Sequence, residues 1–380
     1  MKHTSRGDVS PFLAMEVLKA ANARESQGKT VYHMEVGQPA TSAPAPVLEA
    51  AKNALDTKSI GYTEALGIPP LRQAIANHYR EMYGIDLDPK RVVVTTGSST
   101  GFLLSFLSLF NPKDHVVLAE PGYPAYRNIL GSVDVEAVGL PCGPETNFQP
   151  TPELIDAIEG PLHGLLVASP ANPTGTMLTP DELEKLIKYC HGRGMHFISD
   201  EIYHGLTYGQ KAVSALSYSD DVIIINSFSK YFSMTGWRLG WMIVPEDLLG
   251  SIERLSQSMF ISAPALSQYA ALAAFDCKDE LEGYIHNYAK NREILLRELP
   301  KMGLDKFAEA HGAFYIYVNV SHLTDDSLKF CQRMLNECGV AATPGLDFDP
   351  HRGHEYIRLS FAGATEDIEG AVIALRKWLS

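Results

Sequence analysis

Lys230 stands just beyond a run of apolar and β-branched residues, VIIINS at 222–227, after a Ser-Phe-Ser turn, and Arg238 follows eight residues later. Taken alone, a lysine after a strand is commonly a solvated surface group, and Arg238 alone reads as half of a surface salt bridge. At the C-terminal end of a parallel-sheet strand, however, the lysine points into the crevice where ligands bind in such folds. Desolvation there disfavours the ammonium form, lowers the pKa and leaves a neutral amine able to form a Schiff base with a carbonyl compound. A second segment suits an anion. TTGSST at 95–100 is a turn of small residues leading into the apolar stretch FLLSFLSLF. Backbone N–H groups and a helix terminus at such a turn can cradle an anion; Gly97 permits close approach, and Ser98 and Ser99 carry hydroxyl donors.

These groups need a scaffold that fixes them. Short β-branched segments recur as VVVT at 92–95, HVVLA at 115–119, VEAVGL at 135–140, LLVAS at 165–169, HFISD at 196–200, VIIINS at 222–227 and GWMIV at 240–244. They read as strands buried on both faces. Helical stretches at 100–110, 123–130, 152–159 and 180–191 alternate with them, which implies crossover units around a mostly parallel sheet. In LTPDELEKLIKYC, Thr179 can cap, Pro180 fits the first turn and Glu182 completes a capping box, while Leu183, Leu186, Ile187 and Cys190 face inward. A helical region runs on through Leu299. Beyond it, GAFYIYVNV at 312–320 and EYIRLSFA at 355–362 are extended, with helices near 325–338 and 365–379. At the start of the chain, residues 11–28 read as a surface helix with Phe12, Met15, Leu18 and Val17 as its apolar stripe. The expected fold class is α/β: a large domain with a mostly parallel seven-stranded sheet between helices, plus a smaller α+β domain. The expected boundaries are an N-terminal arm and part of the small domain at 1–40, the large domain at 41–285 and the small C-terminal domain at 286–380.

Composition narrows the function classes. With 380 residues, 45% hydrophobic and 20% charged, the chain can bury a substantial core, and disorder or a fibrous repeat is excluded. A formal net charge of -13 without a compensating basic block opposes binding to nucleic acid or anionic lipid. No apolar run is long enough for a membrane span. Five scattered cysteines fit reduced thiols, and the first 29 residues, which include Asp8 and Glu16, lack the apolar segment of a secretory signal, so the expected residence is cytoplasmic. His191, His196 and His204 match no zinc spacing, and no metal is expected.

Several motifs in order, ANPTG at 171–175, DEIY at 200–203 and SFSKYFSMTGWRLG at 227–240, resemble the fold-type I aminotransferases of class I/II, which use pyridoxal 5'-phosphate. The similarity covers nearly the whole chain and includes EVGQP at 35–39, GYTEALGIPPLRQAI at 61–75, TTGSST, EPGYPAY at 120–126 and IRLSFA at 357–362. The resemblance implies that Lys230 carries the cofactor and shuttles the proton, and that Asp200 keeps the pyridine nitrogen protonated. It implies that Asn172 and Tyr203 bond the phenolic oxygen, with Tyr203 counted among the catalytic groups, and that Tyr123 stacks on the ring. Gly97, Ser98, Ser99, Ser227 and Arg238 would hold the phosphate, and Tyr62 would reach the phosphate of a neighbouring subunit in a homodimer. Arg358 would bind the substrate α-carboxylate, with Gly37 and Asn172 beside it.

The expected activity is transfer of an α-amino group to a 2-oxo acid. Carbon-sulfur β-elimination on the same fold and a noncatalytic, cofactor-binding regulator are the alternatives. Related aspartate-type enzymes often have a lysine in the glycine-rich turn where this chain reads GSST, which argues against a strictly acidic substrate.

Overall fold

The computed structural model describes residues 4–380. Its strands in chain order are β1 (Tyr32–His33), β2 (Val92–Thr95), β3 (His115–Glu120), β4 (Glu136–Pro141), β5 (Gly164–Ala168), β6 (His196–Asp200), β7 (Val222–Ser227), β8 (Gly240–Ile243), β9 (Tyr315–Asn319), β10 (Val340–Ala341), β11 (Thr343–Pro344) and β12 (Tyr356–Ser360). Among the described residues, seven of them form the central sheet in the order β2-β8-β7-β6-β5-β3-β4.

Every neighbouring pair from β7 to β4 is parallel, while β8 runs against both of its neighbours. Alternate residues of these strands enter separate apolar clusters: Val92, Val94, Leu165, Val167 and Ile224 on one face, Val93, Leu166, Ile223 and Ile225 on the other. Such two-sided burial is what a near-continuous β-branched run provides.

One strand departs from the expectation of burial on both faces. In β4, Glu136, Ala137, Gly139 and Pro141 are exposed and Leu140 is buried. It is the last strand of the sheet, hydrogen-bonded on one side, and fewer elements cover it. The helix expected at 152–159 is shorter, Pro152–Asp156. The helical region before Leu299 is interrupted, with helices Glu246–Met259, Ala265–Ala271 and Lys278–Glu298. The capping box at Thr179 and Glu182 forms, and the four residues expected to face inward are the buried ones of that helix.

The C-terminal residues build a second sheet, β11-β12-β9, antiparallel throughout. The N-terminal segment joins them, because β1 pairs with β10 in parallel. Helix Leu13–Glu25 buries Val17 and Ala21, whereas Met15 of the expected stripe is exposed.

Candidate active site

The parallel arrangement sets three strand ends on one edge of the sheet. Asp200 closes β6, Ser227 closes β7 shortly before Lys230, and β5 ends just ahead of the loop that carries Asn172. Because β8 is antiparallel, its start lies at that same edge, with Gly240 opposite both Ser227 and Thr95. Arg238 therefore arrives beside the turn at Gly97. A Cβ on Gly97, whose φ is +74°, would come within 2.6 Å of the Arg238 guanidinium, so glycine lets backbone and side chain meet there. From the second sheet, the middle of β12 brings Arg358 over the same edge.

A cleft of about 400 Å³ lies between the sheets. Ser98, Ser99 and Arg238 line one part of it; Asp200, Lys230 and Tyr123 another; Asn172, Tyr203, Gly37 and Arg358 the remainder. Three expected residues do not line it. Gly97 sits behind Arg238. Ser227 is buried, with its hydroxyl 3.0 Å from the Leu239 carbonyl and 2.9 Å from Ser229 Oγ, and Ser229 takes the place at the wall. Tyr62 is 83% exposed on the outside of the chain.

The electrostatics follow from burial. Desolvation, then the nearby charge of Arg358, lowers the Lys230 ammonium to about 8, against an opposing pull from Asp200. Lys230 Nζ donates to the carbonyl of Gly37. Burial raises the Asp200 carboxyl to about 6, while a hydrogen bond from the Tyr126 hydroxyl, another from the Ile202 N–H at 3.0 Å and the charge of Lys230 act to lower it. The Tyr203 and Tyr315 hydroxyls are 2.8 Å apart. A Cβ on Gly37 would lie 1.9 Å from the Tyr315 hydroxyl oxygen, which makes glycine necessary for this close approach.

Arg358 is 3% exposed and fixed on several sides. Its guanidinium donates to Asn172 Oδ1 at 2.9 Å, to Thr343 Oγ1 at 3.2 Å and to the carbonyl of Glu35. It lies 4.4 Å from the ring centre of Tyr315 and 4.8 Å from that of Phe348. Its Nε is buried with no hydrogen-bond partner among the described residues.

Tyr126, Ser229, Tyr315, Phe12 and Met15 also line the cleft, and the sequence marks none of them as a site residue. Tyr126 and Ser229 lie inside recognised motifs, so proximity to Tyr123 and Lys230 was an available signal. Phe12 and Met15 had none, because their spacing reads as an ordinary apolar stripe.

The donor set fits a pyridine aldehyde bearing a phosphate. Ser98 and Ser99 at a helix start, with Arg238 beside them, suit an anion; a half-buried amine of lowered pKa suits an aldehyde; and the buried carboxylate of Asp200 suits a protonated ring nitrogen.

A model of the family "Aminotransferase class I and II" matches residues 29–375. The valine–pyruvate aminotransferase of Mycobacterium tuberculosis is 47% identical over 98% of this chain and 97% of its own length. An aspartate aminotransferase of Thermotoga maritima is 33% identical over 96% of each chain. Among solved structures, an aminotransferase from M. tuberculosis superposes with a TM-score of 0.98 at 46% identity, over 100% of this chain and 99% of that one. A putative aminotransferase from Silicibacter pomeroyi superposes with a TM-score of 0.94 at 50% identity and the same coverage. The chain belongs to the class I and II aminotransferases, enzymes that use pyridoxal phosphate to move the amino group of an amino acid to a 2-oxo acid.

Proposed function

We propose that the amino donor carries an apolar side chain and that the acceptor is a small 2-oxo acid such as pyruvate. One observation carries this reading. Among the described residues, the charged ones lining the cleft are Asp200, Lys230, Arg238 and Arg358, and each has a task at the cofactor or the α-carboxylate. The walls left for a side chain include Phe12, Met15 and Val36, which offer no cation to a second carboxylate. The valine–pyruvate relative supports the same substrate class.

When bound, pyridoxal phosphate supplies an aldehyde carbon and an electron-accepting ring. Lys230 would hold that carbon, and its amine would move a proton to and from the substrate Cα. Asp200 keeps the ring nitrogen protonated, with Tyr126 and Ile202 holding its carboxylate in place. Asn172, whose Oδ1 is taken by Arg358, has its amide N–H groups left for the phenolic oxygen, and Tyr203 donates there too. Tyr123 covers the ring face. The N–H groups after Gly97, the hydroxyls of Ser98 and Ser99, and the Arg238 fork bind the phosphate, with Ser227 acting through Ser229. Arg358 takes the α-carboxylate between Asn172 and Gly37.

The working unit in this reading is a homodimer, with Tyr62 completing the partner's phosphate site. Exposed Ile60, Tyr62 and Ile261 support a contact surface there. The domain division is 1–40, 41–285 and 286–380, with helix Lys278–Glu298 spanning the second boundary. Among the described residues, no helix is long and apolar enough to cross a membrane, and five free cysteines support a reducing, cytoplasmic compartment.

A donor screen on the purified, cofactor-loaded protein tests the substrate class. With pyruvate as acceptor, valine and leucine should outpace aspartate and glutamate by kcat/KM, with each donor's carbon skeleton retained in its 2-oxo acid. A preference for the acidic donors overturns the reading.

A further inference from the structure

Helix Leu13–Glu25 begins without a cap of its own: Phe12 precedes its first turn and makes no side-chain capping bond. The first N–H groups of a helix need acceptors from elsewhere. Here they come from the opposite end of the chain. Leu13 N donates to Asp347 Oδ1 at 3.0 Å and Ala14 N to Asp347 Oδ2 at 3.2 Å. Asp347 is 3% exposed, and its own carbonyl accepts from Arg127 at 2.6 Å.

Few other contacts fix this end of the helix. Its buried residues, Val17 and Ala21, lie further along and pack with Val31, Leu335 and Ala341. Ahead of it, Asn128 donates to the Ser10 carbonyl at 3.0 Å, and the Phe12 ring lies 6.0 Å from Tyr123. Phe12, Ala14 and Met15 nevertheless line the cleft. The residue after Asp347 is Phe348, whose ring lies against the Arg358 guanidinium. One short loop thus fastens the helix and also touches the arginine assigned to the carboxylate.

We propose that Asp347 is a positioning residue for substrate selection: its carboxylate holds the first turn of helix Leu13–Glu25 across the cleft, so that Phe12 and Met15 form the wall that meets the donor's side chain. The proposal rests on the apolar-donor reading above. A wall of this kind matters for a side chain long enough to reach it. Alanine ends at its methyl group and should be indifferent to the wall, whereas leucine should depend on it.

The experiment measures kcat and KM for alanine, valine and leucine with cofactor-loaded wild type, D347N, D347A, F12A and M15A. D347A removes both acceptors, and loss of a helix cap of this type weakens the first turn enough to change occupancy about tenfold, whereas D347N keeps one acceptor oxygen and sets an amide donor against the other N–H. D347A should therefore lower the leucine-to-alanine ratio of kcat/KM by about tenfold and D347N by a few-fold, mostly through the KM for leucine. Alanine turnover and the cofactor absorbance should stay as in wild type. F12A should shift the ratio the same way, and D347N combined with F12A should add little to either single change. Hydrogen exchange at Leu13 and Ala14 should be faster in D347N, which checks the cap even if D347A folds poorly. An unchanged leucine-to-alanine ratio in D347N despite faster exchange overturns the proposal, because the cap would then be structural alone. Wild-type protein that accepts neither valine nor leucine overturns the donor class itself, and this inference with it.

Discussion

At the carboxyl edge of the central sheet, Asp200 and Lys230 are placed by neighbouring parallel strands close to them in sequence. At the mouth of the same cleft, Phe12 and Met15 sit on a helix whose first turn is held by Asp347. The floor is rigid because strand register and two-sided burial fix it; β6 and β7 pair residue by residue from Phe197 and Val222 to Asp200 and Ile225. The wall depends on a few polar contacts between segments far apart in the chain. A reaction common to a family suits the first kind of construction, and a choice among side chains suits the second.

The largest effect should come from the floor. Lys230→Ala removes the group assigned to the proton transfer, and turnover should fall by about 10³-fold or more with every donor. Steady-state rates and the visible spectrum of the cofactor-loaded protein check it; appreciable turnover in the variant would break the division between floor and wall. Next comes Arg358, which belongs to the second sheet but acts on the group all donors share. Arg358→Lys loses the bidentate fork, so KM should rise about 10- to 100-fold for alanine and leucine alike. A rise confined to leucine would move Arg358 to the wall.

The smallest effect tests how finely the floor is tuned. Burial raises the Asp200 carboxyl to about 6, and the Tyr126 hydroxyl is the largest influence lowering it. Tyr126→Phe removes that influence, so the carboxyl pKa rises and its charge is lost at a higher pH. The acid limb of kcat/KM should therefore move upward, with activity a few-fold lower near neutrality and little change in alkaline buffer. A pH profile identical to wild type would show that Tyr126 does not tune Asp200.

The same contrast explains what could be read in the sequence. The seven central strands were visible because β-branched runs between helices have few other uses, and Lys230 follows from where one of those runs stops, whereas the role of Asp200 came through motif resemblance. Arg358 and Asn172 were reached through motif resemblance, since neither residue type at a strand or loop position declares a ligand. Exposure on β4 was missed because hydropathy reports composition, and cover depends on which strand ends the sheet. Phe12, Met15, Leu18 and Val17 read as the apolar stripe of a surface helix, yet of these the structure buries Val17, together with Ala21, and leaves Met15 at the cleft. No local pattern could show that, because the residue that fixes the first turn is Asp347.

Because β1 pairs with β10 and Asp347 caps helix Leu13–Glu25, the N-terminal segment must wait during synthesis for residues made late. Strands β2 to β8, with Asp200 and Lys230, emerge from the ribosome well before β12 and its Arg358. A nascent chain can complete the sheet that supports the cofactor while helix Leu13–Glu25 still lacks its anchor and the carboxylate still lacks its arginine. The ability to hold the cofactor would then precede the ability to choose a substrate, which arrives only with Asp347 and Arg358.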